Sequence, residues 1–185
     1  MNNNNFIEIN TERLSLRKLN SADWEMIAYL RTDKEVNKFV KRPDAGSKEK
    51  ALAFISKIEG GIKKGDMYYW SISENNNPGM IGSICLWNFP EGRKTAEIGY
   101  DLSPEFQGQG IMNEALKSIL EFGFYNLNLE SIEAYTHRDN ESSKRLLERN
   151  GFKRITGKKD ENNQDNIIYE IREQQFHVTE KVKDA

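Results

Sequence analysis

The chain has 185 residues, a length that suits one domain with a substantial core. Its 27 Lys and Arg against 29 Asp and Glu leave a formal charge of -2, which gives no electrostatic reason to expect nucleic-acid wrapping. No apolar run approaches the roughly 20 residues that span a bilayer, and Met1 followed by asparagines has no signal-peptide character, so a cytoplasmic protein without membrane partners is expected. A single cysteine, Cys85, excludes an intramolecular disulfide, and with His137 and His177 it gives no metal-ligand spacing, so no metal is expected.

Residues 2–5 read as a frayed start. Alternation of Leu14 and Leu16 with polar neighbours predicts a first strand within residues 11–19. Asn20 or Ser21 caps a helix carrying Trp24, Ile27, Ala28 and Leu30 and ending near Thr32. A second short helix is predicted over residues 33–40, broken by residues 41–46, and Ser47 caps a third, with Ala51, Leu52, Phe54, Ile55 and Ile58 turned inward. Aromatic and β-branched content predicts strands at 68–73 and 80–87, joined by a turn at 75–79, and a further strand at 95–102 follows the turn at 90–93.

Residues 103–115 then read as a strand end, a glycine-bearing loop and a helix start, with Gly108 and Gly110 allowing close approach of the backbone to an anion. Met112, Ala115, Leu116, Ile119, Leu120, Phe122 and Phe124 predict an amphipathic helix to about Asn126. A strand at 131–136 follows, then a helix capped by Asp139 or Asn140 and closed by Asn150-Gly151, then strands at 153–156 and 167–171 around a polar loop at 157–166. The expected fold is a single mixed α/β (α+β) domain over residues 1–176, with a central, mostly antiparallel sheet flanked by helices and a polar tail at 177–185.

The glycine loop alone is weak: Asn113 breaks the dinucleotide pattern G-x-G-x-x-G, and no Gly-Lys-Ser/Thr follows. Four stretches together are more specific. These are Thr11-Glu12-Arg13-Leu14 with Leu16-Arg17 and Asp23; Ala96-Glu97-Ile98-Gly99-Tyr100 leading into Pro104-Glu105-Phe106; Gln107-Gly108-Gln109-Gly110-Ile111-Met112; and Asn140-Glu141-Ser142-Ser143 followed by residues 146–152. In this order they resemble the GNAT superfamily of acetyl-CoA-dependent N-acetyltransferases, and within it the ribosomal-protein N-terminal branch. Met112 departs from the Gly/Ala that usually ends the loop, and Leu147 stands where many members place a tyrosine that protonates the departing thiolate.

The resemblance implies a splayed GNAT-like sheet and the direct attack of an amine on acetyl-CoA, with CoA as product. It implies a cofactor site formed by Tyr100, Asp101, Leu102, Gln107, Gly108, Gln109, Gly110, Ile111, Met112, Asn113, Asn140 and Ser143, with an N–H near Ile98 or Gly99 facing the oxyanion. Glu97 is the candidate base and Ser143 the candidate proton donor. Trp87, Asn88 and Tyr135 are the candidate acceptor-binding residues, with Phe39 and Tyr69 as further walls, His137 as a weaker candidate base and Cys85 as inert packing. The acceptor implied is a protein or peptide N-terminus of the ribosomal-protein type. A small amine such as a polyamine, an amino acid analogue or an aminoglycoside is the alternative, and a non-catalytic acyl-CoA-binding module is the alternative from another class. Monomer and homodimer both stay open.

Overall fold

A computed structural model describes residues 6–176, so the expected frayed start and polar tail lie outside the described residues. Leu14 and Leu16, on strand β2 (Leu14–Lys18), are fully buried between half-exposed neighbours, as a strand with one face on a core requires. β2 pairs with a two-residue edge strand, β1 (Ile9–Asn10), too short to show any period in the sequence, and on its other side with β3 (Tyr68–Glu74). The sheet continues through β4 (Asn77–Trp87), β5 (Thr95–Leu102), β6 (Ser131–His137), β7 (Lys153–Ile155) and β8 (Asn166–Arg172), in the spatial order β1-β2-β3-β4-β5-β6-β8-β7.

Each sheet face is covered. Helix α1 (Trp24–Thr32) follows a tight turn in which Asn20 accepts from Ala22 N–H and Asp23 accepts from Asn20 N–H. With α2 (Lys48–Lys64), capped by Ser47 and ended by left-handed Gly65, it packs Ile27, Leu30, Ala51, Ile55, Ile58 and Ile62 against Tyr69 and Met80. On the opposite face, α3 (Ile111–Glu121) and α4 (Glu141–Arg149) bury Ala115, Leu116, Ile119 and Leu147 against Leu14, Trp70, Ile84 and Ile98. The result is a single mixed α/β domain with helices on both faces. Among the described residues no helix is long and apolar enough to cross a membrane.

Local bonding changes three of the expected boundaries. Residues 33–40 form turns rather than a helix: Asp33 accepts from the N–H groups of Glu35 and Val36, and Asn37 Nδ2 donates to Leu30 O and Asp33 O. Short polar side chains of this kind compete with the helical ladder. The hairpin turn is only Asn75-Asn76, because Glu74 already pairs with Asn77. Helix α3 does not continue as a regular α-helix to Asn126; residues Phe122–Asn126 make a wider π turn, with Leu127 N–H reaching Phe122 O at 3.2 Å.

The feature that positions the site is a change of strand direction. Neighbours are antiparallel throughout the sheet except β5 and β6, which are parallel and joined by α3. Their pairing starts at Thr95/Ser131 and stops at Ile98/Ala134, although β5 runs on to Leu102 and β6 to His137. Beyond that point β5 stays paired with β4 as far as Leu102/Gly82, and β6 with β8 as far as His137/Asn166. Each strand keeps its outer neighbour and leaves its inner one, so a wedge opens in the middle of the sheet.

Candidate active site

β5 delivers its side chains alternately to the two faces of the sheet. Ile98, Tyr100 and Leu102 pack on the side of α3 and α4. Glu97 and Asp101 point the other way: Asp101 accepts from Ser83 Oγ at 2.6 Å and pairs with Arg42 at 2.7 Å, so its carboxylate is engaged on that face.

β5 leads into the glycine loop. Gly108 (φ 74°) and Gly110 (φ 78°) occupy the left-handed region that favours glycine, and a Cβ on Gly108 would meet nothing within 4 Å. Gln107 N–H closes on Pro104 O and Glu114 N–H on Gly110 O, while the backbone donors of residues 108–113 have no acceptor among the described residues. No side chain caps α3. The loop is framed by Gln107 Nε2 donating to Leu102 O (3.0 Å), Gln109 Nε2 to Glu105 O (2.8 Å) and Arg13 to Gln109 O (3.0 Å). An uncapped helix start with free amides attracts an anion, and the space over Gly108 is open.

One acid sits in that first helical turn. Glu114 Oε2 takes Arg13 Nε at 2.6 Å, and Oε1 takes Thr11 Oγ at 2.6 Å and Arg13 N–H at 2.9 Å. Partial burial pushes this carboxyl up, but the bonds from Thr11 and Arg13 outweigh it and hold it below the usual range. Arg13 thereby offsets a negative charge that would weaken the cradle, which gives the Thr11-Glu12-Arg13 stretch a physical role that the sequence did not disclose.

α4 approaches from across the wedge. Asn140 Oδ1 accepts from Ser143 N–H (3.1 Å), capping the helix and leaving Nδ2 as its free donor among the described residues. Asn113 Oδ1 accepts from Asn150 Nδ2 (2.9 Å) and ties α3 to α4. Ser143 is half-buried, with its Oγ 2.9 Å from the Tyr100 hydroxyl, and Leu147 is fully buried.

On the other face, Glu97 lies opposite Trp87 on β4 and opposite Glu133 on β6. Asn88 Nδ2 approaches Glu97 Oε2 at 3.4 Å, from a residue whose φ of 53° is uncommon outside glycine but tolerated by asparagine. Burial raises the Glu97 pKa to about 7; Asn88 opposes the shift, the Asp160 and Glu133 carboxylates reinforce it, and Lys158 again opposes it. Lys158 Nζ bonds both Glu133 oxygens (2.7 and 2.6 Å) and lies 5.7 Å from the Tyr135 ring centroid, and Tyr135 donates to Glu133 at 3.1 Å. Glu97, Trp87 and Asn88 therefore form one group, and Tyr135 joins it through Glu133. Lys158 and Asp160 sit in a polar loop with no periodicity to mark them.

Other expected residues separate. Tyr69 is buried core, its hydroxyl donated to Ser83 at 2.8 Å, and does not wall the acceptor site. Phe39 lies 5.2 Å from the His137 ring beside a cavity of ≈ 90 Å³ at the end of β6. Burial pushes the Cys85 thiol up to about 12, so it is protonated and inert. A second cavity, ≈ 330 Å³, lies between Arg145, Glu148, Arg154 and Tyr169 and touches none of the expected site residues.

A free helix start at the mouth of a wedge between two parallel strands is an arrangement suited to an anion that carries an extended arm. Residues 13–153 match the family described as Acetyltransferase (GNAT) domain, and the chain belongs to that family. It is an N-acetyltransferase of the GNAT type, a family whose acyl donor is acetyl-CoA. Among relatives, the uncharacterised N-acetyltransferase YoaA of Bacillus subtilis (strain 168) is 30% identical over 146 residues, covering 79% of this chain and 82% of YoaA. Among solved structures, RimL, a ribosomal L7/L12 α-N-protein acetyltransferase in complex with coenzyme A, superposes with a TM-score of 0.77 at 19% identity over 90% of this chain and 98% of its own. FdhC, a nucleotide-linked sugar GNAT, gives 0.79 at 20% identity over 96% and 97%. At these identities the two structures speak to the fold alone.

Proposed function

We propose that the chain transfers the acetyl group of acetyl-CoA to a primary amine, with a protein or peptide N-terminus of the ribosomal-protein type as preferred acceptor. The observation that carries this reading is the wedge beyond Ile98/Ala134, with Glu97 on one face of β5 and Ser143 reaching the other face from α4. Acetyl-CoA supplies an acyl group activated as a thioester. Amides of residues 108–113 hold the pyrophosphate, and the edge of β5 left unpaired by β6 at Tyr100 bonds the pantetheine arm as an added strand would. Leu102 O already accepts from Gln107, and Asn140 Nδ2 is the further donor for the arm.

An α-ammonium, with a pKa of about 8, must lose its proton before it attacks. Glu97, poised at about 7, accepts that proton near neutrality, directly or through one water. Ser143 donates a hydrogen bond to the departing sulfur, and Trp87, Asn88 and Tyr135 line the approach of the amine. A partial sequence match to a ribosomal-protein-serine acetyltransferase of Escherichia coli (strain K12), 36% identical over 73 residues and 40% of this chain, supports the ribosomal-type acceptor. The Glu97, Glu133 and Asp160 carboxylates on the acceptor side favour a small polyamine as second reading.

The test incubates the protein with acetyl-CoA and a panel of ribosomal-protein N-terminal peptides, polyamines and aminoglycosides, following thiol release and product mass. Acetylated peptide N-termini are the expected product, and preference for spermidine would establish the second reading. CoA binding without turnover on any acceptor would leave a binding module, and no CoA binding would end both enzyme readings.

A further inference from the structure

A serine hydroxyl is a poor acid on its own, and the position one helical turn beyond Ser143 holds Leu147, which has no proton to give and is fully buried. The phenol that α4 lacks reaches Ser143 from the sheet instead. Tyr100 and Ser143, 43 residues apart in sequence, place Oη and Oγ 2.9 Å from each other, and this is the only hydrogen bond of the phenol among the described residues. Strand alternation accounts for the encounter: Tyr100 shares the α3/α4 face with Ile98 and Leu102, and it lies beyond Ile98/Ala134, where β5 already borders the wedge.

Ser143 is fixed from two directions. Its N–H is held by the Asn140 cap at 3.1 Å and its Oγ by Tyr100, a bond in which either hydroxyl can donate; with the phenol as donor, the Ser143 proton is left to point elsewhere. We infer that Tyr100 and Ser143 form a two-hydroxyl proton relay, in which Tyr100 O–H donates to Ser143 Oγ and Ser143 O–H donates to the departing sulfur. The inference rests on the acetyltransferase reading above. As the new C–N bond forms and the C–S bond breaks, Ser143 gives its proton to sulfur and takes the phenolic proton, and the phenolate is reprotonated from solvent. On the amine side the ammonium gives one proton to Glu97 before attack, which Glu97 passes to solvent, and the nitrogen gives Glu97 a second as the C–N bond forms, so nitrogen loses two protons, sulfur gains one and one proton is released to solvent overall.

Burial raises the Tyr100 pKa to about 12, against the opposing effect of its bond to Ser143, so the phenol is protonated through the whole neutral range and the relay is always loaded. Tyr100 acts through Ser143 and is a positioning residue as well as the ultimate proton source.

The relay is tested on the binary complex with CoA, which needs no acceptor. The bound thiol is titrated by thiolate absorbance, as the difference from CoA-free protein, in wild type, Tyr100→Phe, Ser143→Ala and the double variant. Hydrogen bonds to a thiolate lower its pKa, so each single variant is expected to raise the bound thiol by about 1 unit. The double variant is expected to raise it no further, because both changes cut one chain. Ser143→Thr, which keeps the hydroxyl, is expected to restore the wild-type titration. Tyr100→Phe keeps the ring and its packing; a wild-type titration in this variant, or additive shifts in the double variant, would overturn the relay while leaving the acetyltransferase reading intact. Absence of CoA binding in the wild-type protein would overturn both.

Discussion

Glu97→Gln removes the carboxylate while keeping its volume and its contact with Asn88, so it isolates the charge. With a pKa of about 7, Glu97 is roughly 9% ionised at pH 6 and roughly 91% at pH 8. For the wild-type enzyme, kcat/KM should therefore climb about tenfold across that interval along a limb centred near pH 7, since kcat/KM reports the ionisations of the free enzyme. In the variant that limb should vanish and the rate fall by about 10²–10⁴-fold, the usual contribution of a general base. Thiol release measured from pH 5.5 to 9 at constant ionic strength reads both. Stability supplies an independent check with a definite sign. Glu97 has a folded pKa raised from 4.5 to about 7, so its favourable contribution is complete below 4.5 and is lost as pH rises through 7. Gln does not titrate, so the Tm of the variant should gain on wild type between those values and stay ahead above them. A limb near pH 7 that persists in Glu97→Gln would assign the base to another group. A wild-type limb centred near 4.5 would refute the claim that burial tunes this carboxyl.

Gly108→Val should abolish CoA binding measured by calorimetry, because the new side chain enters the space over the loop, while left-handed strain of about 1–2 kcal/mol lowers Tm only modestly; retained affinity would displace the cradle. Arg42→Ala leaves Asp101 with a charge in a largely enclosed setting, the pair being 17% and 14% exposed, and should cost about 3 kcal/mol in urea unfolding. A loss below about 1 kcal/mol would class the pair with surface ion pairs. Cys85, with its thiol at about 12, should resist a thiol reagent at pH 8 in the native protein and react at once in urea.

What the sequence disclosed followed the range of the signal. Leu14/Leu16 alternation, the Ser47 cap and the glycines of the cradle act over a few residues, and each marks its element in the structure. The segment 33–40 misleads because its polar side chains bond the backbone locally, which composition does not distinguish from a helix surface. The site's long-range partners leave no local trace. Glu114 meets Thr11 and Arg13, Tyr100 meets Ser143, and Lys158 comes to Glu133, each through the order of strands and not through spacing. Parity along β5 alone does separate Tyr100 from Glu97, placing the phenol and the carboxylate on opposite faces before any coordinate is known.

The short parallel ladder from Thr95/Ser131 to Ile98/Ala134 is also the seam of the sheet, with β1 to β5 on one side and β6 to β8 on the other. On the proposed reading, a cosubstrate arm lying in the wedge would supply the rungs that β6 leaves unmade. Amide hydrogens at residues 99–102 that face the gap should exchange quickly in the free protein and slowly once CoA is bound. Glu97 and Tyr135 stand on opposite sides of that seam, so an arm bound in the wedge would border the proposed acceptor side, and an ordered sequence with the acyl donor first is the expected kinetic outcome.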